Sequence, residues 1–173
     1  MIKNILITGR AGCGKTTLII EMIKELNLNA GGFHTSEIRE KGVRKGFKIT
    51  TLDGEEGILA HIDTKSPYKV SKYKVNIRDL EDIGVKSTLE ALKENKTVII
   101  DEIGLMEMKS EKFKKAVLTA LNSKNKVLGT IRLEHHPFTD KIKVRKDTKI
   151  FHLTSENRKE IKTKIINLLQ DIR

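Results

Sequence analysis

Residues 9–16 read Gly9-Arg10-Ala11-Gly12-Cys13-Gly14-Lys15-Thr16, followed by Thr17. The stretch fits the pattern G-x-x-x-x-G-K-[ST]. Before it, residues 2–8 (IKNILIT) form a short, mostly apolar strand; after it, residues 16–26 carry Leu18, Ile19, Met22, Ile23 and Leu26 at helical spacing. Strand, glycine loop and helix in that order make a phosphate-binding βα unit. The glycines let the backbone curl until successive N–H groups converge on an anion, and the helix N-terminus adds free N–H groups and the positive end of its dipole. On this reading the loop from Gly9 through Arg10, Ala11, Gly12, Cys13 and Gly14 to Lys15 cradles phosphates. Lys15 reaches the β- and γ-phosphates, the Thr16 hydroxyl ligates Mg²⁺, and Thr17 reaches the α-phosphate.

A second run, Val98-Ile99-Ile100-Asp101-Glu102, supplies the complementary half of such a site. A buried strand over residues 97–100 delivers Asp101 to the coordination sphere of the metal. The adjacent Glu102 is placed to orient or deprotonate an attacking water.

The remaining pattern sets the architecture. Short strands are predicted over residues 33–38, 47–52 and 57–62, separated by Glu40-Lys41-Gly42 and Asp53-Gly54, and Asp-Gly is a favoured hairpin turn. Residues 66–76 read as a polar surface loop. A helix is predicted over 78–94 with Leu80, Ile83, Leu89 and Leu92 on its apolar side, and another over 110–121 with Ser110 as N-cap. Strands follow at 126–131 and 148–153, and a last helix starts near Thr154 or Ser155, with Ile161, Ile165, Leu168 and Leu169 facing inward. Alternating strands and helices predict a three-layer α/β domain with a largely parallel sheet. It spans residues 1–173 as one domain and carries an antiparallel hairpin insertion at about 32–62.

With these motifs in place the chain resembles the THEP1-type nucleoside-triphosphatases, small phosphate-loop proteins similar to nucleotide kinases. The resemblance rests on residues 9–17, on Gly32-Phe33 with Glu37, Arg39, Arg44, Gly46 and Phe47, and on Asp101-Glu102-Ile103-Gly104 followed by Met106-Glu107. It continues through Thr130-Ile131, His136-Pro137 and Thr154 with Glu156-Asn157-Arg158. The phosphate loop is common to very many enzymes, whereas the Asp-Glu-Ile-Gly-x-Met-Glu run is far more particular. The resemblance implies a RecA-like variant of the P-loop NTPase fold and Mg²⁺-dependent hydrolysis of several nucleoside triphosphates, with diphosphates as weaker substrates. Leu105 and His34 depart from the usual pattern of the family and bear on base selectivity.

Composition narrows the classes. The chain has 173 residues, 38% hydrophobic and 33% charged, with a single cysteine, so neither a disulfide framework nor a zinc module is available. No apolar run approaches the roughly 20 residues of a membrane span, and the start lacks a secretory cleavage pattern, so a cytoplasmic protein is expected. The net charge of +11 raises nucleic acid as a partner. The basic residues are interleaved with 23 acids, however, and aromatics make up only 4%, so nucleic acid is not favoured over nucleoside triphosphates.

Further candidates are the arginines, since phosphoryl transfer gains from a guanidinium beside the transferring group. Arg132, Arg39 and Arg44 all qualify, with Thr130 as a hydrogen-bonding partner of water and Asn157-Arg158 near the base. His135-His136 has no other ligands nearby and reads as loop. The leading expectation is an NTPase in which Lys15 and Glu102 are catalytic and Thr16 and Asp101 hold Mg²⁺. A nucleoside or nucleotide kinase would share all these parts and add an acceptor pocket. A nucleic-acid-binding ATPase switch would add a concentrated basic stripe.

Overall fold

The computed structural model describes residues 1–171. Chain order runs β1 (Asn4–Thr8), α1 (Lys15–Glu25), β2 (Ala30–Glu40), β3 (Val43–Thr51), β4 (Glu56–His61), β5 (Lys69–Val70) and β6 (Tyr73–Val75). A continuous helical stretch follows, made of α2 (Ile77–Asp79), a π-helical segment (Leu80–Val85) and α3 (Lys86–Lys93). Then come β7 (Thr97–Ile103), α4 (Glu111–Asn122), β8 (Val127–Ile131), α5 (Pro137–Lys143), β9 (Thr148–His152) and α6 (Arg158–Asp171).

The strands form one sheet in the order β5-β6-β4-β3-β2-β7-β8-β1-β9. Strands β2, β7, β8, β1 and β9 pair in parallel, and β2 to β6 pair antiparallel. β2 belongs to both halves: Ala30–Phe33 pairs with β7, and the rest of the strand pairs with β3. The antiparallel hairpins therefore continue the parallel sheet instead of standing beside it. Strand β8 lies between β1, which leads into the phosphate loop, and β7, which carries Asp101. This is the RecA-like α/β arrangement.

Two apolar layers cover the sheet. Leu18, Ile19 and Met22 of α1 and Ile161, Ile165 and Leu169 of α6 pack on one face, against Ile5, Ile7, Ile99 and Leu128. The helical stretch, α4 and α5 cover the other face, against Leu6, Phe33, Ile49, Val98 and Ile100. Ser110 is the N-cap of α4, its hydroxyl accepting from the Phe113 N–H at 3.0 Å.

Four local expectations differ from the structure. Residues 66–76 are not a loop throughout, because β5 and β6 form a hairpin whose Tyr73 and Val75 are buried. Three lysines in that stretch give it a polar appearance, which is a usual way to keep a sheet edge soluble. Leu89 is exposed, whereas Thr88 and Ala91 are buried; the wider winding of the preceding π segment rotates the face that α3 presents to the sheet. β7 runs on to Ile103, so Asp101 and Glu102 lie inside the strand, across a cis peptide bond. α6 begins at Arg158, because the Asn157 side chain takes the Thr154 N–H at 2.8 Å and holds residues 154–157 in a turn.

Close packing of β2 on β7 depends on Gly32, whose φ is +116° and whose Cβ, if present, would lie 2.1 Å from the Ile99 carbonyl oxygen. Both the backbone conformation and the approach exclude a side chain. Gly32→Ala is expected to lower unfolding free energy by at least about 2 kcal/mol. Denaturant unfolding monitored by circular dichroism measures it, and an unchanged midpoint would remove this constraint from the account.

Candidate active site

The loop after β1 closes tightly. Gly9 has φ +154°, and a Cβ there would lie 2.6 Å from the Leu153 carbonyl oxygen, at the end of β9. Gly14 sits at the N-cap of α1 in the left-handed conformation with no side-chain cap, which leaves the first-turn N–H groups of the helix directed at the loop. The Lys15 ammonium donates to the carbonyls of Gly9 at 2.9 Å and Arg10 at 3.1 Å, so the lysine arches over the loop. Arg158 braces the loop from behind, donating to the Gly14 carbonyl at 3.1 Å and pairing with Glu21 at 3.1 Å.

Asp101 is the centre of the arrangement, only 2% exposed. Its Oδ2 accepts from the Thr16 hydroxyl at 2.7 Å and from the Thr35 N–H at 3.3 Å, and its Oδ1 accepts from the Thr130 hydroxyl at 2.7 Å. Burial raises the Asp101 pKa, and the bonds from Thr130, Thr16 and Thr35 oppose that rise. Among the described residues no ion pair within 4.0 Å involves Asp101, Glu102 or Glu107. Three carboxylates thus gather in a largely buried region without a directly paired cation. An oxygen-ligating divalent metal fits this donor set, because the Thr16 hydroxyl and the Asp101 carboxylate are adjacent hard ligands. Among the described residues no three His, Cys, Asp or Glu side chains are placed to hold a metal ion together, but a small divalent cation bound together with phosphates needs only one or two protein ligands.

Glu102 follows on the same strand. Burial raises its pKa, the neighbouring Asp101 raises it further, and Lys15 and Arg132 act against both. A carboxylate so placed is a better proton acceptor than one in water. Glu107 is 4% exposed, and burial, then the Glu102 charge, hold its pKa well above the usual range.

One cavity of about 650 Å³ joins these groups. Ala11, Gly12, Gly14, Lys15, Thr16, Thr17, Asp101, Glu102 and Arg132 all line it, so most residues singled out from the sequence meet in one place. Gly9, Arg10 and Cys13 do not line it. Gly9 and Arg10 contribute carbonyls to Lys15, and the Cys13 side chain packs with the apolar layer under α1 and α6. Arg44 lines the cavity as well, whereas Arg39 turns away to Glu37 and the Gly42 carbonyl. The Thr130 hydroxyl is directed at Asp101 instead of at a water site. His136 caps α5, accepting from the Phe138 N–H at 3.2 Å, and His135 is fully exposed.

Sequence reasoning left several contributors without their observed role. These are the Thr35 N–H, Glu107, the bracing Arg158, and Thr130 as a support for Asp101. Glu107 lies in the same run as Asp101 and Glu102, Thr130 and Arg158 read from the sequence in other roles, and Thr35 carries no local signal.

A glycine loop at a helix N-terminus, faced across β8 by a strand carrying a buried aspartate, defines a phosphate-loop nucleoside-triphosphatase. Comparison with known proteins narrows the class. The family model described as NTPase matches residues 4–166. The chain is 52% identical over 167 residues to the nucleoside-triphosphatase THEP1 of Thermotoga sp. (strain RQ2), covering 96% of this chain and 95% of the relative. It is 44% identical over 168 residues to the protein of that name from Methanocaldococcus jannaschii, covering 95% of each. The crystal structure of THEP1 from the hyperthermophile Aquifex aeolicus matches with a TM-score of 0.88 at 34% identity, over 96% of this chain and 99% of that one. The chain belongs to the THEP1 nucleoside-triphosphatase family.

Thr130 supports Asp101 from the neighbouring strand without reaching the cavity, so it should act through the carboxylate. Thr130→Val preserves the shape and removes the bond. It is expected to weaken divalent-metal-dependent nucleotide binding roughly 10–100-fold, while metal-free nucleotide binding stays near the parent value. Titration calorimetry with and without Mg²⁺ separates the two, and an equal loss in both would point to general misfolding of the site.

Proposed function

We propose that the chain hydrolyses nucleoside 5′-triphosphates, ATP and GTP among them, to diphosphate and phosphate, using Mg²⁺ and tolerating different bases. Residues 1–173 act as one catalytic domain in the cytoplasm, without a requirement for nucleic acid. The observation that carries this reading is the contact between the Thr16 hydroxyl and Asp101 at 2.7 Å, with Glu102 next in the chain and in the same cavity.

The loop N–H groups and the α1 dipole bind the phosphates, a recognition shared by every triphosphate. Lys15 moves from the Gly9 and Arg10 carbonyls to the β- and γ-phosphate oxygens, where its charge offsets charge developing at the bridge. Thr16 and Asp101 hold Mg²⁺, directly or through water, and Thr17 reaches the α-phosphate. A cation held by Thr16 and Asp101 would supply positive charge against that developing on the triphosphate. Glu102 orients water on the open side of the γ-phosphate and takes its proton, aided by a pKa already raised. Arg132, with its side chain 14% exposed in the wall beside Glu102, donates to the γ-phosphate oxygens.

Lys15→Ala removes the mobile positive charge and is expected to reduce turnover about 10²–10³-fold with weaker triphosphate binding and an unchanged unfolding midpoint. Phosphate-release assays run beside thermal unfolding measure both, and near-parent turnover would remove the assignment of the loop.

Glu102 and Asp101 should give distinguishable phenotypes. Glu102→Gln keeps the shape and is expected to retain Mg²⁺–ATP affinity while losing about 10²–10⁴-fold in turnover. Asp101→Asn is expected to lose metal-dependent affinity together with rate. Affinity measured alongside turnover for both variants is the check; a Glu102→Gln protein hydrolysing at the parent rate would place the base elsewhere.

A further inference from the structure

The mechanism uses Glu102 and leaves Glu107 idle, although Glu107 lines the same cavity and is only 4% exposed. A buried carboxylate with no cation beside it is unfavourable, and an apolar side chain of similar size would fill the space without that cost. Its place in the wall of the site calls for a reason.

The surrounding backbone is tightly held. β7 ends at Ile103, and Gly104 leads into the single 3₁₀ turn Glu107–Lys109. The Met108 N–H donates to the Gly104 carbonyl at 3.0 Å, and the Ser110 N–H donates to the Glu107 carbonyl at 3.1 Å. The Ser110 hydroxyl donates in turn to Glu81 of the π-helical segment at 2.6 Å. The Glu107 carboxyl folds back over this turn and accepts from the N–H groups of Gly104 and of Glu107 itself. Gly104 shows where the carboxyl is aimed. A Cβ there would lie 3.0 Å from Glu107 Oε2 and 3.2 Å from Glu102 Oε1. The two carboxyl groups thus reach one small space from opposite ends of the turn, and the missing side chain at Gly104 leaves that space to them.

Two carboxyl groups so close in a buried site do not both ionise readily. On β7, the charges of Glu102 and Asp101 both act on Glu107. Lys15 and Arg132 favour the ionised form of Glu102, with Glu134 acting against them. Glu81 stands behind Ser110, while Glu37 and Arg44 face the site across the cavity and are tied to each other at 3.1 Å. Among the described residues no cation forms an ion pair with Glu107. Burial, then the Glu102 charge, hold the Glu107 carboxyl neutral to well above the ordinary carboxylate range. A neutral carboxyl group donates a hydrogen bond as well as accepting one, and an acid kept neutral in an apolar site can serve as such a donor.

We propose that Glu107 is a positioning residue for Glu102: the O–H of its neutral carboxyl group donates to the Glu102 carboxylate over Gly104 and keeps it turned to the γ-phosphate. The inference rests on the assignment of Glu102 as the base in the preceding subsection. Glu107 touches neither the nucleotide nor the attacking water, and its proton stays in place through the cycle. It restrains the rotation of Glu102, so the water meets the base in one orientation.

The test uses the full chain with Mg²⁺ and ATP. It compares Glu107→Gln, which keeps a donor and cannot ionise, with Glu107→Leu, which keeps the bulk and has no donor. Phosphate release is measured from neutral to alkaline pH, with thermal unfolding of each protein alongside. Glu107→Gln is expected to keep kcat near the parent value at neutral pH. Glu107→Leu is expected to lose about 10–100-fold in kcat at unchanged KM, with an unfolding midpoint no lower than the parent's. At alkaline pH the parent's Glu107 ionises, the donor is lost and a second negative charge faces Glu102, so kcat falls. In Glu107→Gln that fall is expected to move to higher pH or vanish. Adding Glu107→Leu to Glu102→Gln is expected to cost little beyond Glu102→Gln alone, because the two side chains act as one unit.

Parent kcat in Glu107→Leu, or a kcat in Glu107→Gln as low as in Glu107→Leu, overturns the donor role, and a loss in Glu102→Gln then leaves the base standing. An alkaline fall identical in the parent and Glu107→Gln overturns it as well, as does a fully additive loss in the double variant. If Glu107→Leu does not fold, the pH profile of Glu107→Gln decides alone. Parent-rate hydrolysis by Glu102→Gln overturns the base and its positioning together.

Discussion

The buried carboxylate of Asp101 is bonded to Thr16 of the phosphate loop, Thr35 of β2 and Thr130 of β8. No other polar group of the site touches so many elements, and the rest of the geometry follows from it. The three bonds fall where β7 leaves its regular pairing with β8, since the register shifts between Ile100 and Ile103. They also tie the N-terminus of α1 to β7. A carboxylate this deeply buried is costly unless its charge is met. Here three hydrogen bonds meet part of it, and a bound cation would meet the remainder. Metal affinity, on the proposed reading, and integrity of the site would thus be two consequences of one burial.

The same node connects the two halves of the sheet. β2 lies beside β7 through Gly32 and then passes Asp101 at Thr35 before turning into the antiparallel flank. The wall carrying Glu37, Arg44 and Phe47 is therefore held in register with the phosphate loop by a strand common to both. The phosphate loop at one end of the cavity and the apolar wall at the other are parts of one continuous sheet.

Much of this was legible in the chain, and the reason differs by element. The phosphate loop reads directly because curling the backbone around an anion demands glycine at fixed spacing, with a lysine and a hydroxyl to follow. Asp101 and Glu102 read well because a continuous apolar run ends at two acids. The supports of Asp101 did not read, since Thr35 and Thr130 lie 66 and 29 residues away in the chain and become neighbours only through strand order. Arg44 and Arg39 were indistinguishable as two arginines flanking a turn. They are register partners across the β2–β3 hairpin and both hold Glu37, yet Arg44 reaches back to the Tyr73 hydroxyl and lines the cavity while Arg39 reaches out to the Gly42 carbonyl. The β5–β6 hairpin was hidden by its lysines, and the exposure of Leu89 by a π segment that helical periodicity does not anticipate. In each case the missing information was long-range packing.

On the proposed mechanism water attacks the γ-phosphorus from the side facing Glu102, and the β–γ bridge is the bond that breaks. Hydrolysis of ATP in water enriched in oxygen-18, with both products analysed by mass spectrometry after limited turnover, tests that claim most directly. One labelled oxygen in the inorganic phosphate and none in the diphosphate is the result the geometry predicts. Label in the nucleoside diphosphate, or release of pyrophosphate with label in the monophosphate, would mean attack at another phosphorus and would contradict the placement of the triphosphate against Thr16 and Asp101.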